Sequence, residues 1–171
     1  MYFSIQAGFA ARNEEYPIYD FNSGNFDLKL AKRLKNDVKE FLLEYYKKLS
    51  NKAVTEEEHK RLLRALSNKI TKKYKAILHG GKFRIGVSQK IINLFLKYLW
   101  AAGLIREPHH CPFDNIIKRK IQKYSKDNWL TDWTEMSAMK EYEEYVSATR
   151  TASNNESLTI AAWEMKNWKR R

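Results

Sequence analysis

The stretch Ser88-Gln89-Lys90-Ile91-Ile92-Asn93-Leu94-Phe95-Leu96-Lys97-Tyr98-Leu99 decides how this chain is read. Ser88 is a residue type that caps helices. Ile91, Ile92, Phe95, Leu96 and Leu99 recur at three- and four-residue intervals, and Gly103 stands where such a helix would stop. This is the most apolar helix the sequence predicts, and it is expected to run through the centre of the fold. It does not read as a membrane span, because the apolar run Ile91 to Leu104 is broken by Asn93 and Lys97 and falls short of the ~20 residues a span requires.

The same helical period extends to both sides. Only four valines occur, at 38, 54, 87 and 146, and Leu, Ala, Lys and Glu fill the periodic segments, a helical bias. A helix is predicted from near Asp27, with Leu30, Leu34, Val38, Phe41, Leu42 and Tyr45 on one face and Lys32, Arg33, Lys35 and Lys39 mostly elsewhere on it. Thr55 and Glu58 form a capping box for a second helix through Leu62, Leu63, Leu66, Ile70, Tyr74 and Ile77, which Gly80 and Gly81 end. Glu107 to Phe113 is a non-helical connector, since Pro108 and Pro112 fix φ and oppose helix in the residue before them. Asp114 caps the next helix, which turns Ile116, Ile117 and Ile121 inward, with Phe113 placed for a staple contact. A capping box from Asp132 to Glu135 predicts a helix through Met136, Met139, Tyr142, Tyr145 and Val146. After a polar break at 151–155, a last helix from Glu156 to about Trp168 carries the stripe Leu158, Ala161, Ala162, Met165 and Trp168. The fold class is therefore all-α, a single compact multi-helix domain. Residues 1–25 are read as an N-terminal arm or loop, with Tyr2, Phe3 and Ile5 in an extended arm or short strand, and 26–171 as the helical domain.

A chain of 171 residues with 43% hydrophobic and 13% aromatic residues is too apolar for a disordered basic tail and can bury a core. The single cysteine, Cys111, excludes an intramolecular disulfide and a cysteine-held iron–sulfur cluster, and no disulfide-linked subunit is expected. The start MYFSIQAGFAARNEE has no basic residue before its apolar ones, unlike a signal peptide. A cytoplasmic or nucleoid-associated location follows as the expectation, with no membrane partner.

The formal charge of +12 is concentrated in the middle of the chain. Residues 26–80 carry 15 bases and seven acids, and residues 81–126 carry ten bases and two acids, whereas each end is mildly acidic. A basic middle spanning 26–126 points to a polyanion, because clustered cations raise encounter rates with nucleic acid and bind its backbone by releasing counterions. The expected phosphate contacts are Lys82, Arg84, Lys97, Lys118, Arg119, Lys120 and Lys123. Tyr45, Tyr46, Tyr74 and Tyr98 are candidates to touch bases. DNA is favoured over RNA as the partner.

The densest chemistry lies between Gly86 and Arg119. Lys90 sits in the first turn of the apolar helix, where burial and a helix N-terminus can lower an amine's pKa; only the neutral amine attacks carbon. Asp114 combines a capping role with a carboxylate able to act chemically. His109-His110-Cys111 invites a metal or thiol reading, but contiguous ligands surround one ion poorly, and no Cys-x-x-Cys or His-x-x-x-His pair supports them. No metal and no cofactor is expected. Phosphate-loop, dinucleotide, zinc-protease and serine-hydrolase motifs are absent.

Gly86-Val87-Ser88-Gln89-Lys90, the apolar helix after it, and Pro112-Phe113-Asp114 opening a helix with Arg119 resemble the core of the helix-hairpin-helix DNA glycosylases. Ser88 stands where that family has its second hairpin glycine. The resemblance implies that Gly86, Val87 and Ser88 grip the DNA backbone through their amides, and that Lys90 forms a Schiff base with the sugar of a flipped nucleotide. It further implies that Asp114 is the catalytic acid and that Arg119 braces its helix. Three function classes follow: a helical nucleic-acid-binding protein using basic helices on the phosphate backbone; a glycosylase/lyase in base excision repair acting through Lys90 and Asp114; and a helical interaction or regulatory module for an acidic protein partner, docking through Trp163, Trp168 and Lys169-Arg170-Arg171.

Overall fold

The computed structural model describes residues 1–10, 14–49 and 54–169. Among them are seven α-helices and no strand: α1 (Tyr2–Phe9), α2 (Leu28–Leu49), α3 (Glu56–Tyr74), α4 (Ile85–Ala101), α5 (Asn115–Ile121), α6 (Met139–Asn154) and α7 (Ile160–Asn167). The all-α expectation holds. No helix among the described residues is long and apolar enough to cross a membrane.

Helix α4 is the centre, as its composition foretold. Every residue from Ile85 to Gln89 and from Ile91 to Leu96 is buried. Helices α1, α3 and α6 pack on it, α2 lies against α3 and α1, and both α5 and α7 pack on α6. The stripes of α2 (Leu34, Val38, Leu42, Tyr45) and α3 (Leu63, Leu66, Ile70, Tyr74) are buried in the same core. The Thr55–Glu58 capping box forms in full. The Asp114 carboxylate caps α5 by accepting the amides of Ile116 and Ile117. Gly103 closes α4 with φ +70°, and Leu104 N–H donates back to Leu99 C=O at 2.9 Å, the reverse turn a left-handed residue permits.

Four expectations are corrected. The N-terminus does not begin with a strand: Tyr2–Phe9 is helical. Eight residues are too few to hold a helix by propensity, so docking supplies the stability. Ser4, Ile5 and Gly8 face α4, and a Cβ on Gly8 would lie 2.3 Å from Ile91 Cγ1. Only beyond the helix does the arm run extended, where Asp20 N–H donates to Ile77 C=O and His79 N–H to Ile18 C=O.

Secondly, Ser88 does not cap α4, which starts a turn earlier, after Arg84. The Ser88 hydroxyl is buried without a hydrogen-bond partner among the described residues. The Gly86 amide is instead satisfied by the Met136 carbonyl at 2.9 Å, a cap made by tertiary contact.

Thirdly, Asp132 to Glu135 is a turn, with the amides of Glu135 and Met136 donating to the Asp132 carbonyl. The Asp132 carboxylate is engaged by Lys118 at 2.6 Å. Helix α6 starts later, where Glu141 accepts the amides of Ser137 and Ala138. Finally, residues 151–154 belong to α6, which ends through Ser157 at φ +52°. Thr159 caps α7 by accepting the Ala162 amide. The buried face of α7 is Ile160, Ala161, Trp163 and Glu164, while Met165 is exposed.

Candidate functional site at the α4–α5 junction

Three polar residues of α4, Gln89, Asn93 and Lys97, stand one helical turn apart in a row at i, i+4, i+8, with Lys90 beside them. Gln89 and Asn93 hold the connector before α5, while Lys90 and Lys97 pair with carboxylates. Gln89 grips the backbone of Phe113 twice, donating through Nε2 to its carbonyl at 2.8 Å and accepting its amide at 3.1 Å. Asn93 donates to the Cys111 carbonyl at 2.7 Å. Pro108 and Pro112 have removed two amides from this connector, and the α4 amides satisfy carbonyls and an amide that no helix reaches.

Lys90 and Asp114, 24 positions apart in sequence, meet with Nζ 2.8 Å from Oδ2. The Trp168 Nε1–H donates to the same oxygen at 2.9 Å, and Lys90 Nζ lies 5.9 Å from the Trp133 ring centroid. Burial pushes the Asp114 carboxyl up, but Lys90, the indole N–H and the Ile117 amide outweigh it and hold the group below the ordinary carboxylate range. The two side chains retain 12% and 14% of their exposure, so the pair is reachable at its edge. The ammonium and the carboxylate are thus in direct contact beside two indoles, with the edge of the pair open to solvent.

Further along α4, Lys97 pairs with both oxygens of Glu164, at 2.9 and 2.6 Å, and its Nζ lies 5.4 Å from the Trp168 ring. Glu164 is 2% exposed, and burial raises its pKa despite Lys97. Behind Asn93 lies a buried chain of hydrogen bonds. Asn93 Oδ1 can only accept, so His59 carries its proton on Nε2 and donates at 2.9 Å. The Tyr142 hydroxyl and Glu56 flank His110 at 2.7 and 3.1 Å. Glu56 also accepts from Arg150 at 2.9 Å. Burial first, and neighbouring histidines after it, lower His59 to about 3; burial, only partly offset by Glu56, lowers His110 to about 4. Cys111 is fully buried in the sense that matters for reactivity, its thiol raised by burial, which leaves it inert. No group of three or more His, Cys, Asp or Glu among the described residues is arranged to hold a metal ion.

The remaining candidates separate by exposure. Gly86, Val87 and Ser88 lie inside the first turn of α4 and are buried, so the phosphate grip expected of their amides is corrected. A Cβ on Gly86 would sit 1.6 Å from the Trp133 carbonyl oxygen. The glycine is required by close packing. Arg84 is likewise turned inward at 5% exposure, donating to the carbonyls of Tyr16 and Pro17 at 2.5 and 2.9 Å; it fastens the arm and is not a phosphate contact. Lys97 and Lys118 are committed to Glu164 and Asp132. Lys82, Arg119, Lys120 and Lys123 are exposed. Tyr45 and Tyr74 are buried, which removes them as base contacts, while Tyr98 is exposed. Trp163 is buried with its indole N–H on Glu156 at 2.7 Å. The expected docking tail is thereby corrected at Trp163, and its Arg170 and Arg171 lie outside the described residues.

Two sets of residues escape a reading of the sequence. The His59–Asn93–Tyr142–His110 chain joins four segments that share no spacing, although three polar residues at i, i+4, i+8 in the most apolar helix are its visible trace. The exposed cations Lys29, Lys32, Arg33 and Lys35 of α2 look like an ordinary solvated face, yet none forms a salt bridge among the described residues. Comparison with protein-family models, with curated proteins and with solved structures finds no match to this chain.

Proposed function

We propose that the chain is a nucleic-acid-binding protein that contacts the phosphate backbone through exposed basic helix faces, with DNA the favoured ligand. The observation that supports this reading is the sorting of its cations. Lysines near carboxylates are consumed in ion pairs, whereas Arg119, Lys120, Lys123 and Lys126 stand exposed on α5 and the turn after it, without a salt bridge among the described residues. Cations left unpaired in a run of eight residues cost repulsion in the free protein, which a polyanion relieves. The test is a salt titration of duplex binding. Affinity should fall steeply with salt, and Arg119→Ala/Lys120→Ala/Lys123→Ala should flatten the slope by about 0.9 per lost phosphate contact. Absence of binding to both duplex and single strand at low salt would refute the reading.

A second reading, a glycosylase/lyase, is favoured by one observation: Lys90 Nζ and Asp114 Oδ2 are 2.8 Å apart at the start of a helix. In this reading a flipped sugar approaches the exposed edge of the pair, and Lys82 with the basic face of α5 holds the backbone that the buried Gly86–Ser88 segment does not. Borohydride trapping on a duplex with one abasic site decides it, since a covalent adduct formed by the wild type and lost in Lys90→Ala is the expected outcome. A wild type that leaves no adduct refutes the lyase.

A further inference from the structure

Helices α1 and α2 enclose a cleft of about 320 Å³ that has no counterpart in the chemistry described so far. One wall is Tyr2, Ile5 and Gln6 at i, i+3, i+4 of α1; the other is Lys32, Lys35, Asn36 and Lys39 at i, i+3, i+4, i+7 of α2. The three lysines form no salt bridge among the described residues, and no carboxylate lines the cleft. Two of them lean over aromatic rings: Lys39 Nζ lies 6.0 Å from the Tyr2 centroid and Lys35 Nζ 5.3 Å from that of Phe9. Tyr2 is 70% exposed, and next to it Phe3, 55% exposed, meets Tyr98 edge-on at 5.5 Å. The side-chain amides of Gln6 and Asn36 make no hydrogen bond among the described residues.

We infer that this cleft binds an unpaired segment of a nucleic-acid strand, an inference that rests on the nucleic-acid reading above and gives it a site. The chemistry of the walls is complementary to that ligand. A base stacks on the free face of Tyr2, the Gln6 and Asn36 amides meet its polar edge, and Lys32, Lys35 and Lys39 follow the phosphates. Seven residues of helix separate the first lysine from the last, about 10 Å at 1.5 Å per residue, the length of a few nucleotides. A duplex cannot use Tyr2, because its bases are already stacked on one another. A bilayer is the weaker match for the same lysines and aromatics. An interfacial helix needs a free apolar face to insert, and the apolar face of α1 (Ile5, Gly8) is already spent on α4.

The experiment is fluorescence anisotropy with a labelled oligothymidine of about 12 nucleotides, within the usual site size of single-strand binders, beside a duplex of equal length. The expected result is tighter binding of the single strand. Tyr2→Ala should weaken it by about 5- to 150-fold without changing its salt dependence, and Tyr2→Phe should restore it. Lys32→Gln/Lys35→Gln/Lys39→Gln should flatten the salt slope by about 2. Thermal melts of each variant report whether the substitutions leave the fold intact. If the wild type binds the strand and the cleft variants bind it equally, the cleft is not the site while the broader reading stands. If the wild type binds no nucleic acid at low salt, both fall. Tyr2-dependent binding to phosphatidylserine vesicles in place of the strand would overturn the inference in favour of a membrane surface.

Discussion

Gly86→Ala separates two meanings of one glycine. In a phosphate-gripping hairpin, adding a methyl group would impair nucleic-acid binding and leave the fold alone. In the structure the methyl would lie 1.6 Å from the Trp133 oxygen, 2.7 Å from its carbonyl carbon and 3.1 Å from Met136 Cβ. The first contact involves backbone, so no rotamer change relieves it, and the 132–136 turn must retreat by about 1.5–2 Å to reach ordinary contact. That motion breaks the Gly86–Met136 hydrogen bond of 2.9 Å, costing about 1–3 kcal/mol for a buried amide left unmet. Displacing Trp133 and Met136, both buried, adds about 1–3 kcal/mol of the kind seen when cores are overpacked. Replacing glycine in a helix returns about 1 kcal/mol. The net loss is about 1–5 kcal/mol, a fall in Tm of about 2–20 °C for a domain of this size. Circular dichroism melts of wild type and variant measure it. A variant that melts with the wild type but no longer binds DNA would refute the packing argument and restore the hairpin.

Two further predictions rest on the groups that α4 buries. Lys97→Met strands the Glu164 carboxylate, 2% exposed, and should cost about 3–5 kcal/mol, whereas Lys97→Met/Glu164→Leu should recover most of that loss, since an apolar pair replaces an ion pair that burial already disfavours; equal urea midpoints for the single and double variants would contradict this. His59 and His110 are held neutral, at about 3 and about 4 against about 6.5 in the unfolded chain. A depressed histidine contributes stability that is complete above pH 6.5 and drains away as the pH falls toward the folded values. Glu56, held ionised to about 2 despite burial by Arg150 and His110, does not titrate in that window. At pH 5 the two histidines together should have removed about 4 kcal/mol, and His110→Gln should halve the dependence; a Tm flat between pH 7 and pH 5 would disprove it.

Much of the fold was legible because its signals are local. The stripes of α2 and α3, the Thr55–Glu58 box and the Asp114 cap each lie within one or two turns, and each forms as its spacing requires. Failures occurred where a local signal was outbid by a distant partner. Ser88 has the chemistry of a cap, but the Met136 carbonyl took the first-turn amide and left the serine inside the helix. Asp132 and Glu135 have the spacing of a capping box, but Lys118 holds the aspartate. Tyr2–Phe9 is too short to show a period, and only its fit against Ile91 makes it helical. The candidate site divides in the same way. Lys90 and Asp114 stand out in the sequence because one lies near the start of an apolar run and the other has the chemistry of a cap, although α4 begins at Ile85 and places Lys90 in its second turn. The lysines of α2 do not stand out in the sequence, because exposure and pairing cannot be read from charge alone.

Lys90 and Lys97 look alike in sequence, yet their removal should have unlike consequences, and the difference makes Lys90 usable as a probe of chemistry. Glu164 has Lys97 as its ion-pair partner, so losing that lysine leaves a buried charge stranded. Asp114 without Lys90 still accepts the amides of Ile116 and Ile117 and the indole N–H of Trp168, three of the four donors that stabilise its charge. Hydrogen bonds to a carboxylate contribute about 1.5–3 kcal/mol each, so the carboxylate keeps most of its stabilisation. Lys90→Ala should therefore cost only about 1–2 kcal/mol in a urea melt, well below the penalty at Lys97. Losing covalent trapping at an abasic site while folding nearly as well as the wild type would then report a missing amine and not a missing fold. A Lys90→Ala protein destabilised as severely as Lys97→Met would show instead that the Lys90–Asp114 pair is a structural staple, and would leave the basic faces of α2 and α5 to account for function.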